Sequence, residues 1–280
     1  MRLARLGDPG HEVPCLVDAS GTYRDASVVA ADFDAEFFAS GGLDRLRAIE
    51  PESLPEAAPG RIGAPIARPG NLVAVGLNYV DHALESGMDI PVEPLLFNKA
   101  PNTVVGPYDD VRYPRGGSKM DWEVELGLVI GATCRYPSSP EEALQSLAGY
   151  VAVDDLSERS FQIERGGQWV KGKAFETSCP TGPWLVTPDD PTVPEHFDLW
   201  LDVNGERRQT GSTRNLIFPV GVVLHYIAQL MVLDPGDLVI TGTPPGVGLG
   251  MADPTWLQVG DVVSLGITAL GEQRNTVVAG

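Results

Sequence analysis

The clearest pattern in the chain is an alternation of large apolar residues with other residues between Trp122 and Ile130. The apolar residues recur at every second position, which predicts a β-strand with one buried face. Glu123 and Glu125 then lie together on the opposite face, about 7 Å apart along the strand. Two carboxylates this close repel each other unless a cation lies between them. A solvent-facing acidic strand explains the same pattern without a cation, because exposed glutamates are common.

Other patterns predict a chain of short strands with few helices. Asn204-Gly205 separates two strand-like runs and predicts a two-residue hairpin. Residues 219–233 carry apolar side chains at helical spacing, with a proline at the start, and predict the clearest helix. A further helical stripe covers residues 33–49, although Gly41-Gly42 weakens it.

The chain is predicted to contain two domains. Residues 1–60 show short apolar runs between turn signals, which predicts a small β-rich N-terminal domain. Residues 51–69 are rich in Pro, Ala and Gly and are typical of a linker. Residues 61–280 can bury a large core and form the predicted catalytic domain. The predicted fold class is mainly β with α.

Composition and charge exclude several classes of protein. A net charge of −18 over 280 residues argues against nucleic acid and anionic membranes as partners. Cys15, Cys134 and Cys179 lie far apart without a CxxC pair, which fits a reducing compartment. No apolar run has the length of a signal peptide core or a membrane span. We therefore predict a cytoplasmic protein.

Two groups of residues could carry chemistry. His82 and Glu85 are three positions apart, so a helix would place the imidazole beside the carboxylate, as a general base requires. An incidental pair on a surface helix explains the same spacing. Asp155 follows an apolar run at residues 149–153 and could join the two glutamates as a third ligand of Mg²⁺ or Mn²⁺, with Ca²⁺ as a further candidate. For one residue of the Asp154-Asp155 pair, a helix cap or turn is the simpler explanation.

A glycine-flanked basic segment follows. Arg159 could hold a substrate carboxylate and Lys173 could act as a point charge, although isolated basic residues are usually solvated surface. The glycine-rich loop at residues 242–248 lacks the Lys-Ser/Thr ending of a phosphate-binding loop, which disfavours nucleotide binding.

Five motifs together resemble the fumarylacetoacetate hydrolase family. The resemblance runs from about Asn71 to the C-terminus and rests on Glu123-Val124-Glu125-Leu126-Gly127, Asp155-Leu156-Ser157-Glu158-Arg159, Gly167-Gln168-Trp169 through Lys173, Val203-Asn204-Gly205-Glu206 and Thr241-Gly242-Thr243-Pro244. The N-terminal unit resembles the bacterial branch of 2,4-diketo-3-deoxy-L-fuconate hydrolases and ureidoglycolate lyases. Ser160 and Asp154 depart from the family pattern, which commonly has Asp and often has Asn at these positions.

This resemblance implies a mixed β-sheet roll or sandwich-like barrel that forms a homodimer. It implies a divalent cation held by Glu123, Glu125 and Asp155. It also implies substrate contacts from Arg159, Gln162, Lys173 and Thr243, with weaker assignments for Tyr79 and Thr177. His82 and Glu85 would be the catalytic dyad on a mobile lid, with Gly76 and Gly87 as hinges.

These residues predict a metal-dependent hydrolase that cleaves a C–C bond in a 2,4-dioxo acid and releases pyruvate and a carboxylic acid. The alternative is a lyase, decarboxylase or isomerase acting on a related 2-oxo or ureido acid, such as oxaloacetate or ureidoglycolate. A non-catalytic protein that keeps the cation for structure is the competing class, but such a site would need neither the dyad nor Lys173.

Overall fold

The computed structural model describes residues 1–85 and 89–280 of the chain. These residues form two large β-sheets, two short two-stranded ribbons and several short helices. The α-helices are α1 (Ala35–Ala39), α2 (Gly42–Arg47), α3 (Val80–Glu85), α4 (Pro140–Leu144), α5 (Arg159–Ile163), α6 (Val170–Lys173) and α7 (Val220–Leu230). Turns of 3₁₀ helix lie at Pro51–Ser53, Pro101–Thr103, Thr213–Asn215 and Gly248–Gly250. None of the helices in these two ranges is long and apolar enough to span a membrane.

The larger sheet has nine strands. They are β1 (Arg2–Leu6), β2 (Val13–Val17), β3 (Tyr23–Asp25), β4 (Leu72–Gly76), β5 (Leu95–Asn98), β9 (Val124–Ile130), β10 (Leu147–Asp154), β13 (Leu185–Val186) and β16 (Leu238–Ile240). Their order across the sheet is β3-β2-β1-β13-β10-β9-β16-β4-β5. Strand β9 is antiparallel to both of its neighbours, and β16 runs parallel to β4.

The smaller sheet has five strands, and two ribbons lie outside both large sheets. Its strands are β7 (Val111–Tyr113), β14 (Asp198–Val203), β15 (Glu206–Ser212), β17 (Val262–Ile267) and β18 (Gly271–Ala279), in the order β15-β14-β17-β18-β7. One ribbon pairs β6 (Val104–Val105) with β12 (Cys179–Pro180), and the other pairs β8 (Met120–Asp121) with β11 (Ser157–Glu158).

The two sheets pack face to face through one apolar cluster. This cluster joins Leu126 and Leu128 of β9 to Leu201 of β14 and Leu265 of β17. The prediction of a β-rich mixed fold with sandwich-like packing is therefore confirmed. Among the described residues the nine-stranded sheet ends in two edges, β3 and β5, so it does not form a closed barrel.

Strand β9 differs in one respect from its predicted form. It begins at Val124 instead of Trp122, and all seven of its residues are buried. Leu126 and Leu128 belong to the cluster between the sheets, whereas Val129 belongs to a second cluster with residues of α1 and α2. Because structure covers both faces of the strand, the alternation marks two different apolar surroundings and not a solvent boundary.

Local sequence signals explain several other elements. The predicted helix at residues 219–233 is confirmed as α7, and the hairpin at Asn204-Gly205 is confirmed between β14 and β15, with φ angles of 53° and 80°. The predicted helix at residues 33–49 is instead split into α1 and α2. Gly41 separates the two helices at φ 74°, a left-handed conformation that glycine adopts without steric cost.

The N-terminal strands belong to the same sheet as the later ones. Strand β1 pairs with β13, and Leu3 and Leu16 pack in one cluster with Val129. The division into domains at residues 60 and 61 stays a prediction.

Candidate active site

A cavity of about 530 Å³ lies beside the first residues of β9. Side chains from α3, α5 and α6 and the loop at residues 242–250 line it, together with Glu123 and Glu125. These elements are short: α3 follows β4, α5 directly follows β11, and α6 comes next along the chain after α5. The cavity therefore collects residues that lie far apart in the sequence.

Three buried carboxylates lie together here, and two of them, Glu123 and Glu125, line the cavity. One oxygen from each of Glu123, Glu125 and Asp155 lies within 4.8 Å of the other two. Strand pairing explains this arrangement, because Val153 of β10 is opposite Glu125 and the backbone N–H of Asp155 donates to the Glu123 carbonyl at 2.9 Å. Glu123 and Glu125 lie close together as predicted, and Asp155, which directly follows β10, is the third carboxylate of the group.

Two lysines partly neutralise these carboxylates. Lys173 Nζ donates to Glu123 Oε2 at 2.7 Å and to Asp155 Oδ2 at 2.6 Å. Lys99 Nζ forms an ion pair with Asp155 Oδ1 at 2.7 Å. The geometry of this pair is not that of a hydrogen bond, so Asp155 Oδ1 has no hydrogen-bond partner among the described residues. Both lysine side chains are almost fully buried. Their charges reduce the repulsion within the group, but among the described residues no lysine forms an ion pair with Glu125.

The pKa values of the two glutamates shift in opposite directions. Burial alone would raise the pKa of Glu123, but the charges of Lys173 and Arg159 lower it to about 2. Burial raises the pKa of Glu125 well above its usual range, and the negative charges of Asp155 and Glu123 raise it further. A cation among these oxygens would relieve that repulsion. Three carboxylates, including one oxygen without a hydrogen bond, suit a hard divalent cation such as Mg²⁺ or Mn²⁺.

His82 and Glu85 line the same cavity from helix α3. His82 Nδ1 lies 3.3 Å from Glu85 Oε2, and the backbone N–H of Gly246 lies 3.1 Å from each Glu85 oxygen. Gly246 adopts φ 102°, and a Cβ there would lie 2.0 Å from the Arg208 carbonyl oxygen, so the loop must carry glycine at this position. The predicted hinge Gly87 lies outside the described residues.

Arg159 is held in place by every part of its guanidinium group. Its Nε donates to Asp121 at 2.8 Å, one terminal nitrogen donates to Glu123 at 2.7 Å, and the other donates to Gln162 at 3.0 Å. Thr243 also lines the cavity, and its hydroxyl donates to the Val124 carbonyl at 2.9 Å. These contacts place three of the predicted substrate-binding residues around one space.

Two weaker assignments lie away from the cavity lining. Tyr79 is fully buried, and its hydroxyl has no hydrogen-bond partner among the described residues. Thr177 accepts a hydrogen bond from the backbone N–H of Arg112 at 2.7 Å. Neither residue is among those that line the cavity.

Sequence reasoning missed Lys99 and Asp121. Lys99 directly follows β5, where a lysine after an apolar run was the available signal. Asp121 accepts from the backbone N–H groups of Gly248 and Leu249 as well as from Arg159, at 2.7 Å for Gly248. It therefore links Arg159 to the loop that holds Glu85.

The family model for the C-terminal domain of fumarylacetoacetate (FAA) hydrolase matches residues 71–278. The chain belongs to the fumarylacetoacetate hydrolase family. Fumarylacetoacetate hydrolase from Exiguobacterium antarcticum shares 33% identity, with a TM-score of 0.87 and full coverage of both chains. The 2-hydroxyhepta-2,4-diene-1,7-dioate isomerase from Mycobacterium marinum shares 31% identity over 100% of this chain and 98% of its own, with a TM-score of 0.74.

A third similar structure includes ligands. It is fumarylpyruvate hydrolase from Pseudomonas aeruginosa in complex with Mn²⁺ and pyruvate, at 32% identity and a TM-score of 0.68, covering 78% of this chain and 91% of its own. The family thus contains both hydrolases and isomerases. The branch predicted from the N-terminal motif, the homodimer and the cytoplasmic location stay predictions.

Proposed function

We propose that this protein is a divalent-cation-dependent hydrolase that cleaves the C3–C4 bond of a 2,4-dioxo acid and releases pyruvate and a carboxylic acid. The observation that carries the proposal is one cavity lined by the His82–Glu85 pair and by Glu123 and Glu125, two members of the carboxylate cluster. The similar fumarylpyruvate hydrolase in complex with Mn²⁺ and pyruvate supports both the metal and the product.

Glu123, Glu125 and Asp155 would hold the cation. When bound, it would supply Lewis-acid polarisation of the carboxylate and 2-oxo oxygens of the substrate. Lys173 donates to two of these carboxylates and would supply positive charge beside the developing oxyanion. The Gln162 amide and the Thr243 hydroxyl line the same cavity and would orient the substrate.

His82 would act as the general base. Its Nδ1 faces Glu85, so Nε2 would accept the proton from a water whose oxygen attacks C4. The C3–C4 bond then breaks, and its electron pair remains on C3 as the enolate of pyruvate. His82 would transfer its proton to C3, which gives pyruvate. Glu85 would hold the ring in the required tautomer, and the Gly246 N–H holds Glu85.

A substrate panel tests the reaction. Acylpyruvates, 2,4-diketo-3-deoxy sugar acids, oxaloacetate and ureidoglycolate would be incubated with Mg²⁺ or Mn²⁺, and the products identified by mass. We expect pyruvate and an acid from the 2,4-dioxo acids. Faster turnover of oxaloacetate or ureidoglycolate, in kcat/KM, would refute the hydrolase assignment in favour of a decarboxylase or lyase.

The isomerase alternative is favoured by one observation, the similarity to the dienedioate isomerase from M. marinum. Conversion of a dienedioate into an isomer that contains no oxygen from ¹⁸O-labelled water would support this alternative. Hydrolysis instead places one labelled oxygen in the released acid.

Two variants test the assigned roles. His82→Ala should lower hydrolytic kcat by about 10²-fold or more, because the base is lost. His11→Ala is the matched control, since this exposed histidine lies outside the cavity lining. Glu125→Ala or excess chelator should abolish turnover. If the cation is purely structural, the protein turns over none of the acids, and removal of the cation only lowers the melting temperature.

A further inference from the structure

Much of the cavity lining beyond its charged groups is apolar. Phe97 and Trp169 form one part of the wall, with ring centroids 5.4 Å apart in an edge-to-face contact. Ile163, Val247 and Leu249 form further parts, and Ile163 and Leu249 are also partly open to solvent. An apolar wall gains free energy by covering hydrocarbon and loses it by covering unpaired charge.

The positive charges of the lining are already engaged. Among the described lining residues only Arg159 and Lys173 carry a permanent positive charge. Arg159 donates to Asp121, Glu123 and Gln162, and Lys173 donates to Glu123 and Asp155. A second substrate carboxylate would have to break one of these buried ion pairs to find a partner, which is costly.

Arg165, the next positively charged residue after Arg159 along the chain, does not supply a further charge to the cavity. Arg165 lies two residues after Ile163 but is not part of the lining, and its guanidinium carbon lies 3.9 Å from the centroid of the Phe161 ring. Stacked in this way, it contributes to the surface of α5 and not to the cavity.

We infer that the preferred substrates are 2,4-dioxo monocarboxylates whose acyl group beyond C4 is apolar and uncharged. This inference rests on the proposed function and deepens it. It separates this chain from the substrates named for its two relatives, fumarylpyruvate and a dienedioate, each of which carries a second carboxylate. It also disfavours the hydroxylated tail of a diketo sugar acid, because the apolar wall offers few partners for hydroxyl groups.

Three acids of matched shape test the inference. They share the 2,4-dioxo acid and differ only at the far end: 7-methyl-2,4-dioxooctanoate ends in an isopropyl group, 2,4-dioxoheptanedioate in a carboxylate and 7-amino-2,4,7-trioxoheptanoate in an amide. We expect kcat/KM to be about 10²-fold higher for the isopropyl compound than for the dioate, with the amide between them. Equal values, or a preference for the dioate, overturn the inference.

A charge introduced into the wall provides a second test. Ile163→Arg should raise kcat/KM for the dioate relative to the isopropyl compound by about tenfold, because a carboxylate then has an unengaged partner. Ile163→Met is the matched control and should keep the wild-type ratio, since it changes shape but not charge. A ratio that is unchanged in Ile163→Arg counts against the inference.

The specificity and the reaction can fail separately. If the protein cleaves none of the three acids and no other 2,4-dioxo acid of the substrate panel, the proposed function is wrong. Calorimetric binding of the same acids to the same cation-loaded protein would still decide the specificity, because it requires no turnover. Tighter binding of the isopropyl compound supports the inference, and equal or tighter binding of the dioate refutes it.

Discussion

Replacing Lys99 by methionine tests whether the carboxylate cluster depends on the charge of this buried lysine. The Lys99 side chain has no exposed surface, and its Nζ lies 2.7 Å from Asp155 Oδ1 and 3.3 Å from the Leu156 carbonyl oxygen. Methionine is similar in length and fills the same apolar space without the charge. The variant therefore removes the ion pair with little change in packing.

The expected cost follows from the geometry. Two unit charges at this distance attract by about 6 kcal/mol at an effective dielectric of 20. Removal of one partner from a buried pair typically costs about 3 to 5 kcal/mol. Lys173 still donates to the other Asp155 oxygen, so we expect the low end, about 3 kcal/mol. For a chain of this size that corresponds to a fall in Tm of roughly 6 °C.

Thermal unfolding in chelator and in Mn²⁺ is the assay. Lys99→Met should unfold at lower temperature in chelator, and added Mn²⁺ should restore much of the loss, because a cation replaces the missing charge. The control is Lys171→Met. That lysine is exposed, and among the described residues its Nζ donates only to the Arg165 carbonyl, so its removal should cost less than about 1 kcal/mol.

Two results would refute this reasoning. A Tm in chelator at or above the wild-type value would show that the ion pair does not stabilise the fold. A loss of the same size in chelator and in saturating Mn²⁺ would show that the effect comes from packing and not from the charge of the cluster.

Three further predictions concern Asp154, Gly246 and the two buried thiols. Burial raises the pKa of Asp154 to about 8, so its carboxyl is protonated in the folded protein but ionised in the unfolded chain between about pH 4 and 8. In chelator, the wild-type free energy of unfolding should therefore fall with rising pH across this window, by at most about 1.4 kcal/mol per pH unit relative to that of Asp154→Asn. Urea unfolding at several pH values measures both free energies, and an equal pH dependence in the two proteins would contradict the prediction. Gly246→Ala should lose about 3 kcal/mol of unfolding free energy in urea, since its Cβ would lie 2.0 Å from the Arg208 carbonyl oxygen; a loss below about 0.5 kcal/mol would show that the loop adapts. Burial raises the thiol pKa of Cys15 and of Cys179 to about 12. In the folded protein at pH 8, both thiols should therefore react with a disulfide reagent about 10³-fold more slowly than in denaturant. Equally fast labelling of the folded and the denatured protein would refute the burial of these thiols.

Local sequence patterns determined a large part of the fold and the site. Periodicity and turn chemistry act between near neighbours, which is why they predicted α7 and the hairpin at Asn204-Gly205 correctly. The spacing of Glu123 with Glu125 and of His82 with Glu85 follows from the periods of a strand and a helix in the same way. The motifs also predicted the family, which the match over residues 71–278 confirms.

Only the tertiary structure decided what surrounds these groups. The face of β9 that carries Glu125 is covered instead of solvated, because residues of α5 and α6 surround the cavity beside Glu125 and Val129 of the same face packs with residues of α1 and α2. Lys99 meets Asp155 across 56 positions, and Asp121 meets Gly248 across 127. Such contacts depend on how the whole chain packs and on how buried charges find partners, so no local period in the sequence encodes them.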